Sequence, residues 1–268
     1  MPNFTTQEEK KISNEFEKQG YLIRNIEDKN SIQKIRDIYI NSALKNLNKK
    51  FNYNKEDFLN NFHKIIKSED LNSFRLKIIN NVNNNSDLRE LYYKISRRWL
   101  DNLIGNEVAM QLRVNLSIQL PNDNSSLLPL HSDVWSGDSP FETVVWIPLV
   151  NCYKSKAMYI LPPKKYEKVK SLFNNKKNNS TDKIFNRIKK DLKWIKINYG
   201  QVLIFNQCLP HGNIINSEKE TRWSLNCRFK SIFTPYNDKK IGEFFEPISL
   251  KKVSQLALKY KPLFHEKG

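Results

Sequence analysis

The sequence predicts an α+β fold: a two-sheet β-sandwich or barrel with helices packed on one sheet. Three observations lead there. About the first hundred of the 268 residues repeat their apolar positions at helical spacing. Near residue 107 the period changes to strict alternation. From there to about residue 233, strand-like runs follow one another. The chain accordingly divides into a mainly helical N-terminal region, residues 1–106, packed on a core of residues 107–268.

Each element has its own warrant. Thr6-Gln7-Glu8-Glu9 has the form of a capping box and opens an amphipathic helix running to about Gly20. Tyr21 to Ile26 reads as a short extended piece. Helices follow over Ser31 to about Lys49, Lys55 to about Lys67, and Ser86 to about Ile104. The last carries Leu88, Leu91, Tyr92, Ile95, Trp99 and Leu103 near helical spacing. Asn80 to Asn85 reads as a polar linker between helices. From Gln111 to Leu120 the alternation has no fault. Leu112, Val114, Leu116, Ile118 and Leu120 share one face, and Gln111, Arg113, Asn115, Ser117 and Gln119 share the other. Further strands are expected at Thr143–Val150, Ala157–Leu161, Leu192–Asn198, Gln201–Phe205 and Thr221–Phe233. A Lys/Asn-rich, mostly helical insertion spans about 163–190, with a break at Asn178-Asn179-Ser180. A helix near Leu250 to Tyr260 closes the chain.

Composition excludes several classes. Aromatic residues make up 12% of the chain, which is the mark of a globular protein rather than a disordered one. No apolar run approaches the roughly 18–20 residues of a membrane span, and the polar start of the chain does not read as a signal peptide. Cys152, Cys208 and Cys227 are odd in number and lack CxxC spacing, which points to a reducing cytoplasm rather than a disulfide framework. Lys+Arg is 45 against Asp+Glu 28, a net charge of +17. The basic residues are scattered in short pairs, and the excess of Lys, Asn and Ile together has the character of coding bias. A solvated surface explains such pairs better than a nucleic-acid interface, although the charge favours anionic small molecules by steering.

Chemistry concentrates in two places. His131-Ser132-Asp133 sets an imidazole and a carboxylate two residues apart, on one face if the segment is extended. His211 lies eighty positions on, after the strand Val202–Phe205, where a β-sandwich can return it beside the first pair. Two His and one carboxylate on one face leave three octahedral positions open, the facial triad of non-haem Fe(II) oxygenases. Eleven residues after His211, the run Thr221 to Lys230 alternates again. Arg222, Ser224, Asn226, Arg228 and Lys230 fall on one face. A 2-oxo acid chelating iron needs a buried bidentate cation for its far carboxylate, a task that suits Arg222 better than any Lys. Ser224 is placed to add a hydroxyl to the same carboxylate. Arg228 and Asn226, with Arg113, Asn115 and Ser117 from the polar face of 111–120, are expected to line the substrate or cosubstrate pocket. Trp135, Trp146, Trp194 and Trp223 read as core on residue type alone. His63 and His265 read as surface residues, Asp138 as a turn or cap residue, and Cys208 and Cys227 as small core residues.

At this point the chain resembles the Fe(II)/2-oxoglutarate-dependent oxygenases, specifically the phytanoyl-CoA dioxygenase-like branch. The residues that carry the resemblance are His131-Ser132-Asp133, Trp146-Ile147-Pro148-Leu149, Tyr159-Ile160-Leu161-Pro162, Gly200-Gln201-Val202-Leu203-Ile204-Phe205, His211-Gly212 and Arg222-Trp223-Ser224. They cover about residues 107–233. Asp133 to Glu142 and Arg222 to Lys230 resemble a bacterial subgroup found in carbohydrate-biosynthesis clusters. The pattern departs from the branch at Leu161-Pro162-Pro163-Lys164-Lys165, where a Gly-rich turn with a His is usual. The resemblance implies a double-stranded β-helix (jelly roll) that uses Fe(II), 2-oxoglutarate and O₂. His131, Asp133 and His211 would hold the metal, with Trp146 walling the cosubstrate pocket. The substrate it implies is a small metabolite, such as a sugar or nucleotide-sugar. Two other readings remain open on residues alone: a non-redox cupin-like sugar isomerase or epimerase, and a basic binding module.

Overall fold

The structure, a computed structural model, describes residues 4–48, 54–174 and 180–260. The capping box forms as the sequence predicts. Thr6 Oγ1 accepts from the Glu9 N–H at 3.1 Å, and Glu9 Oε2 accepts from the Thr6 N–H at 2.6 Å. It opens α1 (Gln7–Gln19), which Gly20 ends at φ 78°. Strand β1 (Tyr21–Asn25) follows, then α2 (Lys29–Asn46), α3 (Lys55–Asn60), α4 (Ser68–Asn83), α5 (Ser86–Lys94) and α6 (Arg97–Leu103).

Two helical expectations are corrected. Asn80–Asn83 belong to α4 and are not a linker. Leu71, Phe74, Ile78, Ile79 and Val82 of α4 are buried at helical spacing, and that burial outweighs the weak helix propensity of the asparagines. The single helix expected over 86–104 breaks at Ile95-Ser96. There the Ser96 hydroxyl bonds the carbonyls of Tyr92 and Tyr93 at 3.4 and 3.3 Å, competing with the helical ladder.

The second part of the chain contributes β2 (Val108–Gln111), β3 (Asn115–Gln119), β4 (Glu142–Pro148) and β5 (Tyr159–Ile160). Helices α7 (Pro163–Asn174) and α8 (Thr181–Ile188) form the insertion. Then come β6 (Lys193–Trp194), β7 (Gln201–Asn206), β8 (His211–Gly212), β9 (Arg222–Ser231), β10 (Phe245–Ser249) and α9 (Lys252–Ala257). Strand β10 was not expected. Of the expected insertion break, Asn178 and Asn179 lie outside the described residues, while Ser180 caps α8. His265 also lies outside them. Among the described residues, no helix is long and apolar enough to cross a membrane.

The strands make two antiparallel sheets. The larger has the order β1-β7-β4-β9-β2-β10, with β3 also on β9, and the smaller has the order β6-β5-β8. Alternation on β4 and β7 shows how they stack. Val145, Ile147, Val202 and Ile204 join the cluster formed with the helices. Val144, Trp146, Leu203 and Phe205 join a second cluster with Ile160 of the smaller sheet. Both strands are thus apolar on both faces, as central strands under two layers must be. Strand β9 differs. Trp223, Leu225, Cys227 and Phe229 face the helix layer, so Arg222, Ser224, Asn226, Arg228 and Lys230 face inward, toward the smaller sheet. A polar row inside a sandwich is costly unless it serves a site.

The unbroken strand expected over 111–120 is also corrected. Met110 pairs with Phe229, but Asn115 pairs with Asn226. Five steps on one strand therefore oppose three on the other, and Leu112–Val114 bulge from the ladder. The bulge turns Arg113 out to solvent.

Candidate metal centre

Backbone pairing brings the distant histidines together. His131 and His211 form an antiparallel bridge, each N–H donating to the other's carbonyl at 2.9 and 2.8 Å. Their rings lie 4.3 Å apart at the centroids. Gly212 permits the approach. A Cβ there would stand 2.6 Å from Tyr159 Oη, 2.8 Å from the Leu128 carbonyl and 3.0 Å from the Pro129 carbonyl. The loop carrying Asp133 is fixed by Ser132, whose hydroxyl reaches the carbonyls of Gln207 and Cys208, both at 3.0 Å.

The donor atoms are preset. Nδ1 of His131 contacts the Pro129 carbonyl, and Nδ1 of His211 contacts the Leu209 carbonyl, both at 2.8 Å. A carbonyl only accepts, so each Nδ1 carries a proton, and each Nε2 is the nitrogen that can offer a lone pair to a metal once it is deprotonated. Those two Nε2 atoms lie 3.5 and 3.7 Å from Asp133 Oδ1. One ligand atom from each of the three residues lies within 4.8 Å of the others. Adjacent octahedral corners with bonds of about 2.1 Å stand about 3 Å apart, so small movements suffice to close the three atoms on one ion.

Charge explains the protonation states. Burial alone would raise the Asp133 carboxyl, but hydrogen bonding from His131 and the charges of His211 and Arg228 hold it well below the carboxylate range. Burial pushes His211 down to about 4, against the pull of Asp133. For His131, burial lowers and the bond to Asp133 raises, with a net rise.

Arg228 spans the back of the site. Its Nη2 lies 2.7 Å from Asp133 Oδ2, leaving Oδ1 facing the imidazoles. Its Nε donates to Gln207 Oε1 at 3.1 Å and stands 3.1 Å from Asp138 Oδ1. Asp138, only 1% exposed, is a buried counter-charge shared with Lys239, and not a simple turn residue. Gln207 passes the network on to Glu142 at 2.9 Å.

Arg222 is in the opposite situation. It is 2% exposed, and its Nη2 donates to Ser117 Oγ at 3.1 Å while its Nε has no partner. Among the described residues no carboxylate pairs with it, and burial lowers its pKa. The hydroxyl of Ser224, buried beside it on β9, is also unpartnered.

A cavity of about 390 Å³ opens on these groups. Its wall includes His131, Asp133, His211, Arg222, Trp146, Asn226, Arg228, Asn115 and Ser117. Asn115 and Asn226 are tied to each other at 3.0 Å. Two expected lining residues stand outside it. Arg113 is turned out by the bulge, and Ser224 is covered between neighbouring strands. The sequence reading missed Arg75, Met158, Phe205 and Asn213 on the wall. Met158 and Phe205 lay on expected strands, whereas Arg75 sits on the unexpected α4. His63 is half-buried rather than free on the surface, with Nδ1 3.1 Å from Thr221 Oγ1.

No family model matches the sequence, and no curated protein matches it. Solved structures do match along nearly the whole chain. A non-haem monooxygenase, ThoJ in a nickel complex, aligns over 92% of this chain and 93% of its own at TM-score 0.53 and 12% identity. SnoK, a non-haem alpha-ketoglutarate-dependent carbocyclase from nogalamycin biosynthesis, aligns over 92% and 97% at TM-score 0.53 and 11% identity. HygX from Streptomyces hygroscopicus, with nickel and 2-oxoglutarate bound, aligns over 87% and 89% at TM-score 0.50 and 11% identity. The likeness is one of fold: this chain has the fold of non-haem 2-oxoglutarate-dependent enzymes.

Proposed function

We propose that the protein is an Fe(II)- and 2-oxoglutarate-dependent oxygenase of the hydroxylase type, acting on a small metabolite. One observation carries this reading. A buried guanidinium without a carboxylate partner among the described residues shares a cavity with a His-Asp-His donor set. A buried cation is unfavourable unless its counter-charge arrives with a ligand, and a 2-oxo diacid brings that charge. The donor set fits iron, with two imidazoles and one carboxylate on a single side and the other positions left to ligands.

In this reading His131, Asp133 and His211 hold the metal, and Arg222 takes the far carboxylate of 2-oxoglutarate. Bound iron with 2-oxoglutarate and O₂ supplies the oxidising power to attack a C–H bond. The chain's own residues do the rest. The Pro129 and Leu209 carbonyls hold the imidazole tautomers, and Arg228 occupies Asp133 Oδ2 so that a single oxygen faces the site. Ser117 steadies the Arg222 guanidinium, and Ser224 stands beside it with a free hydroxyl. Trp146 walls the pocket with Met158, Val144 and Phe205, an apolar side that excludes water. Asn115, Ser117, Asn226 and Arg228 are assigned to the cavity wall, where Asn115 Nδ2 donates to Asn226 Oδ1, Ser117 Oγ accepts from Arg222 and Arg228 pairs with Asp133.

The same reading gives the two sheets a jelly-roll (double-stranded β-helix) architecture and treats residues 1–106 as a helical region packed on a 107–268 core. It places the enzyme in the bacterial carbohydrate-cluster subgroup, with a sugar or nucleotide-sugar substrate, on the strength of the sequence strings quoted above. A cytoplasmic setting is supported by three unpaired cysteines. The test is succinate formation from 2-oxoglutarate in air. Iron-dependent succinate, lost in His211→Ala, is the expected result. A folded wild-type protein that forms none with iron present would refute the reading.

A further inference from the structure

The cavity holds one more cation than the proposed reaction uses. Arg75 lies on α4, which packs across the outer edge of β3. Its Nη1 donates to the Leu116 carbonyl at 3.3 Å and its Nη2 to Asn72 Oδ1 at 2.8 Å. These bonds draw the side chain over the strand edge to the cavity wall. A guanidinium has five N–H donors, and two are engaged. Among the described residues no carboxylate pairs with Arg75.

Counting the charges on the wall decides what the rest of the cavity takes. Asp133 is the only carboxylate among the described lining residues, and Arg75, Arg222 and Arg228 are the cations. Arg228 is satisfied by Asp133 and Asp138. In the proposed complex the acid's chelating end faces the metal and its far carboxylate faces Arg222. Arg75 is left in a half-enclosed space, with its charge unmatched. The wall also includes Ser126, while the Ser125 hydroxyl is bonded back to Asp123 at 2.5 Å. Asp123 itself does not line the cavity.

We propose that Arg75 is the substrate's anion anchor, so that the substrate carries a phosphate-like oxyanion group held at the α4 side of the cavity. Arginine suits this because its fork matches oxyanion geometry. The proposal rests on the oxygenase reading and adds a substrate class to it. The alternative role for Arg75 is purely structural, closing the Leu116 carbonyl at an open strand edge.

The test uses inorganic phosphate and the full chain loaded with Mn(II) and 2-oxoglutarate, with protein in excess over metal and ionic strength held constant. The readout is paramagnetic relaxation of the phosphate ³¹P signal, which falls off so steeply with distance that phosphate on remote surface lysines contributes nothing. Wild-type protein is expected to relax the signal. In Arg75→Gln the affinity should fall about tenfold, the loss typical of one charge-assisted contact. Lys77→Gln, which removes an exposed charge from the same helix, should change nothing. No relaxation in wild type, equal relaxation in Arg75→Gln, or an equal loss in both variants overturns the proposal. A parallel anaerobic sample with Fe(II) separates this from failure of the underlying reading. If the visible iron–2-oxoglutarate band forms, the oxygenase reading survives and only the anchor falls.

Discussion

Replacing Arg222 with methionine should make the ligand-free protein more stable and the enzyme worse. The guanidinium is 2% exposed, with one hydrogen bond to Ser117 and no carboxylate among the described residues. Burying an ion without a counter-charge has an effective cost of several kcal/mol. Methionine fills a similar volume without charge, and the lost Ser117 bond offsets about 1 kcal/mol of the gain. A net stabilisation of about 1–3 kcal/mol follows, or roughly 2–10 °C in Tm for a chain of this size. Binding of 2-oxoglutarate loses a buried charge pair worth about 2–5 kcal/mol, a drop of roughly 30-fold to several thousand-fold. Urea unfolding of the metal-free protein and anaerobic 2-oxoglutarate titration measure the two effects on the same samples. Arg222→Lys should lose less affinity, since it keeps the charge and loses the fork. If Arg222→Met is less stable than wild type and binds 2-oxoglutarate unchanged, Arg222 is a structural residue and the argument fails.

Further expectations concern the residues around it. Arg228→Met leaves the buried Asp133 and Asp138 carboxylates short of a partner and should destabilise the metal-free protein by about 3–5 kcal/mol. Added Co(II), which supplies positive charge to Asp133, should recover part of that loss in thermal unfolding. Gly212→Ala drives a methyl group against the Leu128 and Pro129 carbonyls and should spread the His131–His211 bridge. Metal affinity should then fall by about tenfold or more, read by Co(II) titration. His211 gives a pH dependence of defined sign. It titrates at about 4 in the fold and at about 6.5 in an unfolded chain. Between those values the unfolded state binds more protons, so metal-free stability falls as pH drops from about 6.5 to 4. Urea unfolding across that range should show a shallower slope for His211→Gln than for wild type.

What the sequence revealed depended on whether the signal was periodic. Alternation over Arg222 to Lys230 placed Arg222, Asn226 and Arg228 on one inward face, and the fold keeps them there. The partners of that row were not legible. Arg228 is taken up by Asp133 and by Asp138, and the latter lies in a loop that no period orients. Asn115 and Ser117 line the cavity, where they are partners of Asn226 and Arg222. Arg113 left the site because the bulge between β2 and β3 is fixed by pairing with β9, a long-range constraint that leaves the local alternation intact. Helix α4 was within reach, since Leu71, Phe74, Ile78 and Val82 recur at helical spacing. The asparagine run at its end masked that pattern and, with it, Arg75.

The most direct test of the central claim is anaerobic addition of Fe(II) to wild-type protein holding 2-oxoglutarate, followed in the visible range. Convergence of His131, Asp133 and His211 on one ion predicts a weak charge-transfer band that saturates at one iron per chain and is absent from Asp133→Ala. A folded wild-type protein that develops no band, or an Asp133→Ala variant whose band matches wild type, would contradict it.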